Sequence, residues 1–231
     1  MAAGLKQKIE LYQPSAATIE LVKNTPILLL VGVSGAGKGS IKSKLLESEG
    51  YHHIVSHTTR RPRENDGVME QDGREYHFID LAEAERMLDD GAFVEAKFYS
   101  GNVYGTSAAE IKRAYDENKV AVTDIEVQGV AEYEAIKPNI KAVFVLPPSY
   151  DLWQERLRRR YDGNVDAADL ERRMNTAKVE LREALDKKYY RFVINNELTE
   201  AAKVTDAIAR GTDPENDEAA KALAHDILAK L

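Results

Sequence analysis

The stretch Gly32-Val33-Ser34-Gly35-Ala36-Gly37-Lys38-Gly39-Ser40 restricts the folds open to this chain more than any other. It carries the spacing GxxxxGK between an apolar run, Ile27 to Val31, and a segment with Ile41, Leu45 and Leu46 on one helical face. Glycines at this spacing let main-chain N–H groups wrap an anion, because positive φ is open to glycine, and the following helix adds partial positive charge at its N-terminus. Lys38 adds a full cation. The pattern predicts a strand, a phosphate loop and a helix. It therefore predicts a nucleoside triphosphate site, without separating a small-molecule kinase from a GTPase or a mechanical ATPase. The Ser or Thr usual after the lysine is here Gly39, and the hydroxyl comes one residue later at Ser40, the candidate magnesium ligand.

Further strands are expected at Val120 to Val127, at Lys141 to Leu146 before Pro147-Pro148, and at Arg191 to Asn195. Helical patterns at Val130 to Ile136 and Glu200 to Arg210 alternate with them. Such alternation implies right-handed crossovers, so the expected class is α/β, a P-loop NTPase-type, mostly parallel sheet flanked by helices. Two stretches break the alternation. Residues 54–107 hold short alternating segments, a charged loop from Arg60 to Arg74 and a helix around Leu81 to Leu88, which reads as an inserted subdomain. Residues 151–190 are rich in Arg and Glu, and their helical pattern breaks at Asp162-Gly163-Asn164, which reads as a two-helix flap. Residues 1–24 form an extension with a brief helix around Ile19, Leu21 and Val22. At the other end, GTDPEND leads to a last helix within 211–231, whose apolar stripe fits either the core or a second copy of the chain, hence a homodimer.

With 231 residues, the chain suits one large domain carrying small subdomains. A net charge of -7 argues against a protein built to coat nucleic acid. The absence of cysteine excludes disulfides and thiolate metal sites and fits a reducing cytoplasm. The first residues lack the apolar centre of a secretory signal, and the run Pro26 to Val31 is far short of the ~20 residues of a membrane span. His52, His53 and His57 have no carboxylate or cysteine pattern around them that would make a zinc site. Trp153, Tyr189 and Tyr190 read as packing residues rather than base-stacking platforms.

A second anion site is suggested by Ser56-His57-Thr58-Thr59-Arg60-Arg61-Pro62-Arg63, whose guanidinium forks suit phosphate oxygens, although a solvated charged loop would have the same composition. Tyr76, Glu95, Tyr104 and Thr106 follow. A carboxylate such as Glu95 can accept from both N1–H and the exocyclic amine of guanine, a donor pair that adenine lacks. In the order GVSGAGKGS, SHTTRRPR, REYHF, FVEAKFYSGNVYGTS, VTDIEVQG and the later Arg-rich segment, residues 25–210 closely resemble the guanylate kinases.

That resemblance implies an ATP-dependent, magnesium-assisted GMP kinase with a P-loop core, a GMP-binding insertion at 54–107 and a mobile lid at 151–180. It implies that Arg60, Arg63, Tyr76 and Tyr104 hold the GMP phosphate and that Ser56, Glu95 and Thr106 face the guanine. Residues 32–40, with Lys38, would take the ATP phosphates, and Asn195 would lie near adenine. Asp124 would be the acid near metal and acceptor, with Glu126 close by, and the lid would add Arg156, Arg160 and Arg173. The chain departs from the family pattern at Glu126, where Asp is common, and in the longer segment between Arg63 and Tyr76. Two alternatives share these residues in part: a module that keeps the fold without catalysis, and a kinase for another nucleoside monophosphate.

Overall fold

Apolar runs and helical stripes resolve, in a computed structural model, into alternating strands and helices. The structure describes residues 2–65, 67–160, 167–212 and 217–231, the side chains of residues 2, 3, 65, 160 and 167–169 excepted. The first half of the chain runs α1 (Ala2–Glu10), α2 (Ala16–Asn24), β1 (Ile27–Val31), α3 (Lys38–Leu46), β2 (Tyr51–His53), β3 (His57–Thr58), β4 (Glu64–Asn65), β5 (Val68–Met69), β6 (His77–Phe78) and α4 (Leu81–Asp89). There follow β7 (Phe93–Tyr99), β8 (Asn102–Ser107), α5 (Ala108–Asp116), β9 (Val120–Asp124), α6 (Val127–Ile136) and β10 (Lys141–Leu146). The rest is α7 (Tyr150–Arg160), α8 (Ala167–Asp186), β11 (Tyr190–Ile194), α9 (Leu198–Ala209) and α10 (Asp217–Ala229). The turn expected at Asp162-Gly163-Asn164 and residues 213–216 of the GTDPEND segment lie outside the described residues.

The chain divides into two compact units. The first comprises residues 1–26, 52–121 and 132–138, and the second comprises 27–51, 122–131 and 139–231. In the second unit β1 is buried along its whole length, as its sequence ILLLV requires of a strand covered on both faces. It pairs in parallel with β10, Leu28 opposite Lys141 through Val31 opposite Phe144, and β10 pairs in parallel with β11. Among the described residues the central sheet has the order β11-β10-β1-β9-β2, so sequence neighbours are separated by helical crossovers. The strand expected to reach Val127 stops at Asp124, and Val127 instead opens α6, where it is fully buried together with Val130. Beyond Asp124 the alternation of Ile125, Glu126 and Val127 still has the period of a strand, which is why the sequence overstates β9. The last helix packs on its own unit: the Asp217 carboxylate accepts from Phe192 N–H at 3.0 Å, and Ala220, Ala224 and Ile227 are buried where α10 meets β11 and α8.

In the first unit, among the described residues, four strands lie in the order β6-β3-β8-β7, with β8 antiparallel to both β3 and β7. A small hairpin, β4 with β5, holds the longer segment after Arg63. Two nine-residue helices occupy the stretch before residue 25, α2 being started by Ser15, whose hydroxyl accepts from Thr18 N–H. Their apolar side is not idle. Leu5 and Ile9 share a core cluster with Ala84, Leu88, Phe93, Ala96 and Val103. No helix among the described residues is long and apolar enough to cross a membrane.

Candidate active site

The phosphate loop leaves β1 through Gly32 at φ +136°, where a Cβ would collide with the main-chain carbonyl of Val145. It enters α3 through Gly37, whose left-handed φ of 93° makes it the helix N-cap without a side chain. The loop is braced from below and from the side. Asn195, buried at the end of β11, donates its amide to Ala36 O at 2.9 Å, and the indole N–H of Trp153 donates to Ser34 O at 2.7 Å. Asn195 therefore sits under the loop, its amide engaged with the loop's main chain. Lys38 bends back so that its ammonium donates to the Gly32 and Val33 carbonyls. Ser40, in the first turn of α3, is exposed, as is Gly39.

The arginines expected of the lid divide. Arg173 on α8 reaches Ser34 Oγ at 3.4 Å, and Arg156 on α7 donates to Asn195 O at 3.2 Å, so both stand at the loop or its brace. The side chain of Arg160 lies outside the described residues. Asp124, at the end of β9, forms an ion pair with Lys42, one helical turn beyond Lys38. Partial desolvation works against its charge, but the ammonium groups of Lys42 and Lys38 outweigh that and hold its carboxyl below the usual range. On α8, burial pushes Glu180 up to about 7 against the attraction of Lys38, with Glu126 and Glu183 adding repulsion.

In the first unit, the residues expected to hold a nucleoside monophosphate converge on the sheet. Glu95 on β7 lies opposite Thr106 on β8, and Thr106 Oγ donates to Glu95 Oε1 at 2.9 Å. Both are buried, Glu95 at 8% exposure. Burial pushes the Glu95 carboxyl up to about 7, the Thr106 hydrogen bond and the Lys97 ammonium pulling it down and Glu132 pushing it further up. Next to Thr106, Gly105 lies opposite Ala96, and a Cβ there would stand 2.7 Å from the Glu95 carbonyl and 2.8 Å from the Phe93 ring. Ser56 lies just before β3 and accepts His77 N–H at its carbonyl.

Arg60 is the most constrained of the arginines. Its fork donates to both Glu70 oxygens, at 2.8 and 3.0 Å, and to Arg61 O at 2.8 Å, while Tyr76 lies beneath its guanidinium at 5.2 Å from the ring centre. The Glu70 hydrogen bond is the chief reason that Arg60 holds its proton even more tightly than usual, and Tyr104 also bonds to it. These bonds leave N–H groups on Nε and Nη2 for Tyr104 and for an incoming anion. Tyr76 and Tyr104 stack edge to face at 6.0 Å, and Arg63 is exposed, its main-chain N–H bound to Glu70 at 2.9 Å.

Trp153 is fully buried, as a packing residue should be, but its bond to the loop, and the parts played by Glu70 and Lys42, have no place in the sequence motifs. An acid seven residues beyond Arg63 and a lysine at i+4 from Lys38 were available signals, whereas nothing local marks Trp153 as a loop brace.

The guanylate kinase family model matches residues 23–210 of the chain. The guanylate kinase of Bdellovibrio bacteriovorus is 39% identical over 161 residues, covering 69% of this chain and 84% of that protein. The guanylate kinase of Schizosaccharomyces pombe is 34% identical over 197 residues, covering 84% and 94%. Among solved structures, the crystal structure of guanylate kinase from Anaplasma phagocytophilum is similar with a TM-score of 0.58 and 25% identity, over 82% of this chain and 87% of that one.

Proposed function

The chain belongs to the guanylate kinase family and is an enzyme that phosphorylates GMP to GDP with ATP; on that premise we propose how its residues divide the work. The observation that carries the assignment is the buried Glu95–Thr106 pair, a carboxylate with one oxygen already oriented by a hydroxyl and acceptor capacity left for two guanine N–H donors. Ser56 completes the edge that faces the base. Arg60, Arg63, Tyr76 and Tyr104 take the GMP phosphate, Arg60 through the N–H groups that Glu70 and Arg61 leave open.

On the donor side, the loop amides of residues 32–40 and Lys38 hold the β- and γ-phosphates of ATP. Lys38 exchanges its carbonyl partners for phosphate oxygens when the nucleotide enters. Asn195 and Trp153 keep the loop in its anion-binding shape. Arg156, Arg160 and Arg173 supply positive charge to the transferring group, which carries its negative charge on the equatorial oxygens in a loose, in-line transition state. The GMP phosphate oxygen attacks the γ-phosphorus, the bond from that phosphorus to the bridging oxygen breaks, and ADP leaves, with no covalent enzyme intermediate required.

Magnesium fits the donor set here. Ser40 offers an exposed hydroxyl, and Asp124 and Glu126 offer exposed carboxylates, the hard oxygen ligands this ion takes alongside nucleotide phosphates and water. When bound, it neutralises phosphate charge. Asp124, kept ionised by Lys42 and Lys38, also orients Lys42 along α3. Comparing GMP with IMP tests the assignment, because IMP lacks only the 2-amino group. A clear preference for GMP in kcat/KM is expected, and equal values would overturn the role of Glu95.

A further inference from the structure

The family match begins at residue 23, so α1 and most of α2 lie outside it, yet this segment grips the strand that carries Glu95. One phenol makes the main contact: Tyr12 OH donates to Phe93 O at 2.6 Å and accepts from Phe93 N–H at 2.8 Å. Just beyond Tyr12, Ser15 N–H and Thr18 Oγ both donate to Gly91 O, at 2.9 and 2.8 Å. The main chain of residues 91 and 93 is thus held, largely by side-chain hydroxyls, immediately before Glu95.

The place matters. Among the described residues β7 is an edge strand of its sheet, and its register with β8 slips between Phe93 and Glu95. A bulge re-aims the residues that follow it, and on an edge strand one side of the ladder has no neighbouring strand to hold it. A single hydroxyl that donates to one Phe93 group and accepts from the other supplies that missing partner. Beyond it, the Val94 to Phe98 stretch borders a cavity of about 490 Å³ that Lys6, Glu10 and Glu132 also line, so the grip falls just ahead of the guanine-reading carboxylate. The Tyr12 ring packs edge-on against Phe93 at 6.4 Å, so loss of the hydroxyl alone would leave the packing in place.

We propose that Tyr12 is a positioning residue for guanine recognition: by holding Phe93 at the bulge, it sets where Glu95 stands, and the segment before the family domain is part of the specificity apparatus. This rests on the reading of Glu95 as the guanine acceptor. The test uses the full chain and four variants, Tyr12→Phe, Thr18→Val, Glu95→Gln and Tyr51→Phe. The last removes the same chemical group from the second unit, where the Tyr51 hydroxyl donates to Asp206.

Tyr12→Phe should raise KM for GMP roughly 3- to 10-fold, as loss of one or two hydrogen bonds allows, and lower the GMP-to-IMP ratio of kcat/KM by a similar factor. Its kcat and its KM for ATP should stay at the wild-type values. Thr18→Val should move the ratio the same way by less, and serves if Tyr12→Phe does not fold. Tyr51→Phe should leave the ratio alone. An unchanged ratio in Tyr12→Phe, or in Thr18→Val where that variant stands in, overturns the inference if Glu95→Gln collapses the ratio. An unchanged ratio in Glu95→Gln overturns the reading of Glu95 on which it rests.

Discussion

Replacing Glu95 with Gln should make the protein more stable and a worse enzyme, with a pH signature that links the two effects. The Glu95 carboxyl, ordinarily near 4.5, is pushed up to about 7 by burial. At about 1.4 kcal/mol per pH unit of displacement, holding it ionised in the fold costs on the order of 3 kcal/mol. Below its unfolded value both states are protonated and the stability is intact. As pH rises towards 7 the unfolded chain releases the proton while the fold retains it, so stability falls, and above the folded value the whole amount is lost. Gln mimics the protonated acid and escapes this cost. The variant should therefore match the wild type near pH 4.5 and exceed it by on the order of 3 kcal/mol at pH 8 and above, read as the shift in urea midpoint across that range. The same change removes a charge-assisted acceptor worth about 1.5–3 kcal/mol, so kcat/KM for GMP should fall roughly 10- to 150-fold while KM for ATP holds. The GMP phosphate, whose second pKa is about 6, gives both proteins an acid limb, so the Glu95 carboxyl shows in the ratio of wild-type to variant kcat/KM, which should fall about tenfold per pH unit below about pH 7. A stability gain that does not vary with pH, or no gain at all, would mean that Glu95 carries no buried charge in the fold.

The other substitutions separate the two nucleotide sites. Lys38→Ala should lower turnover about 10³-fold or more with the circular dichroism spectrum and melting temperature retained, and near-normal GMP phosphorylation would remove Lys38 from the mechanism. Glu70→Gln breaks a pair whose side chains are 9% and 8% exposed. It should cost on the order of 3 kcal/mol without ligand, while GMP raises the melting temperature more than in the wild type because its phosphate takes up the stranded guanidinium. Equal GMP-induced shifts would contradict phosphate binding at Arg60. Trp153→Phe leaves the half-buried Ser34 O without its indole donor and should raise KM for ATP several-fold, loss of such a hydrogen bond costing about 0.5–1.5 kcal/mol, while KM for GMP stays put.

Parts of this architecture were legible because short-range chemistry dictates them. The strand Ile27–Val31 and the loop after it are fixed by an apolar run and by glycines whose φ angles no other residue adopts without strain. Lys141–Leu146 is an apolar run that ends where two prolines stop it, and the strand has the bounds its sequence implies. Glu95 and Thr106 share a site only through the family resemblance, and what sets them side by side is the pairing of β7 with β8. The end of β9 was not legible, since Ile125, Glu126 and Val127 serve a strand and a helix start equally well. Two-residue strands such as β3 and β6 are held only by their neighbours in the sheet and have no sequence period of their own. The partners that tune the site were the least visible. Glu70 finds Arg60 because the loop between Arg63 and Tyr76 folds back, Trp153 finds Ser34 across the sequence, and Tyr12 meets Phe93 through the packing of Leu5 and Ile9.

Selective phosphorylation of GMP by this chain is tested by ADP formation with ATP and magnesium, with GMP, AMP, CMP or UMP supplied in parallel at equal concentration. Turnover with GMP should far exceed that with the other three, because Glu95 would be left unpaired opposite adenine. Comparable rates with all four would contradict the reading of Glu95, and tight GMP binding without turnover would identify a module that keeps the fold and lacks the chemistry.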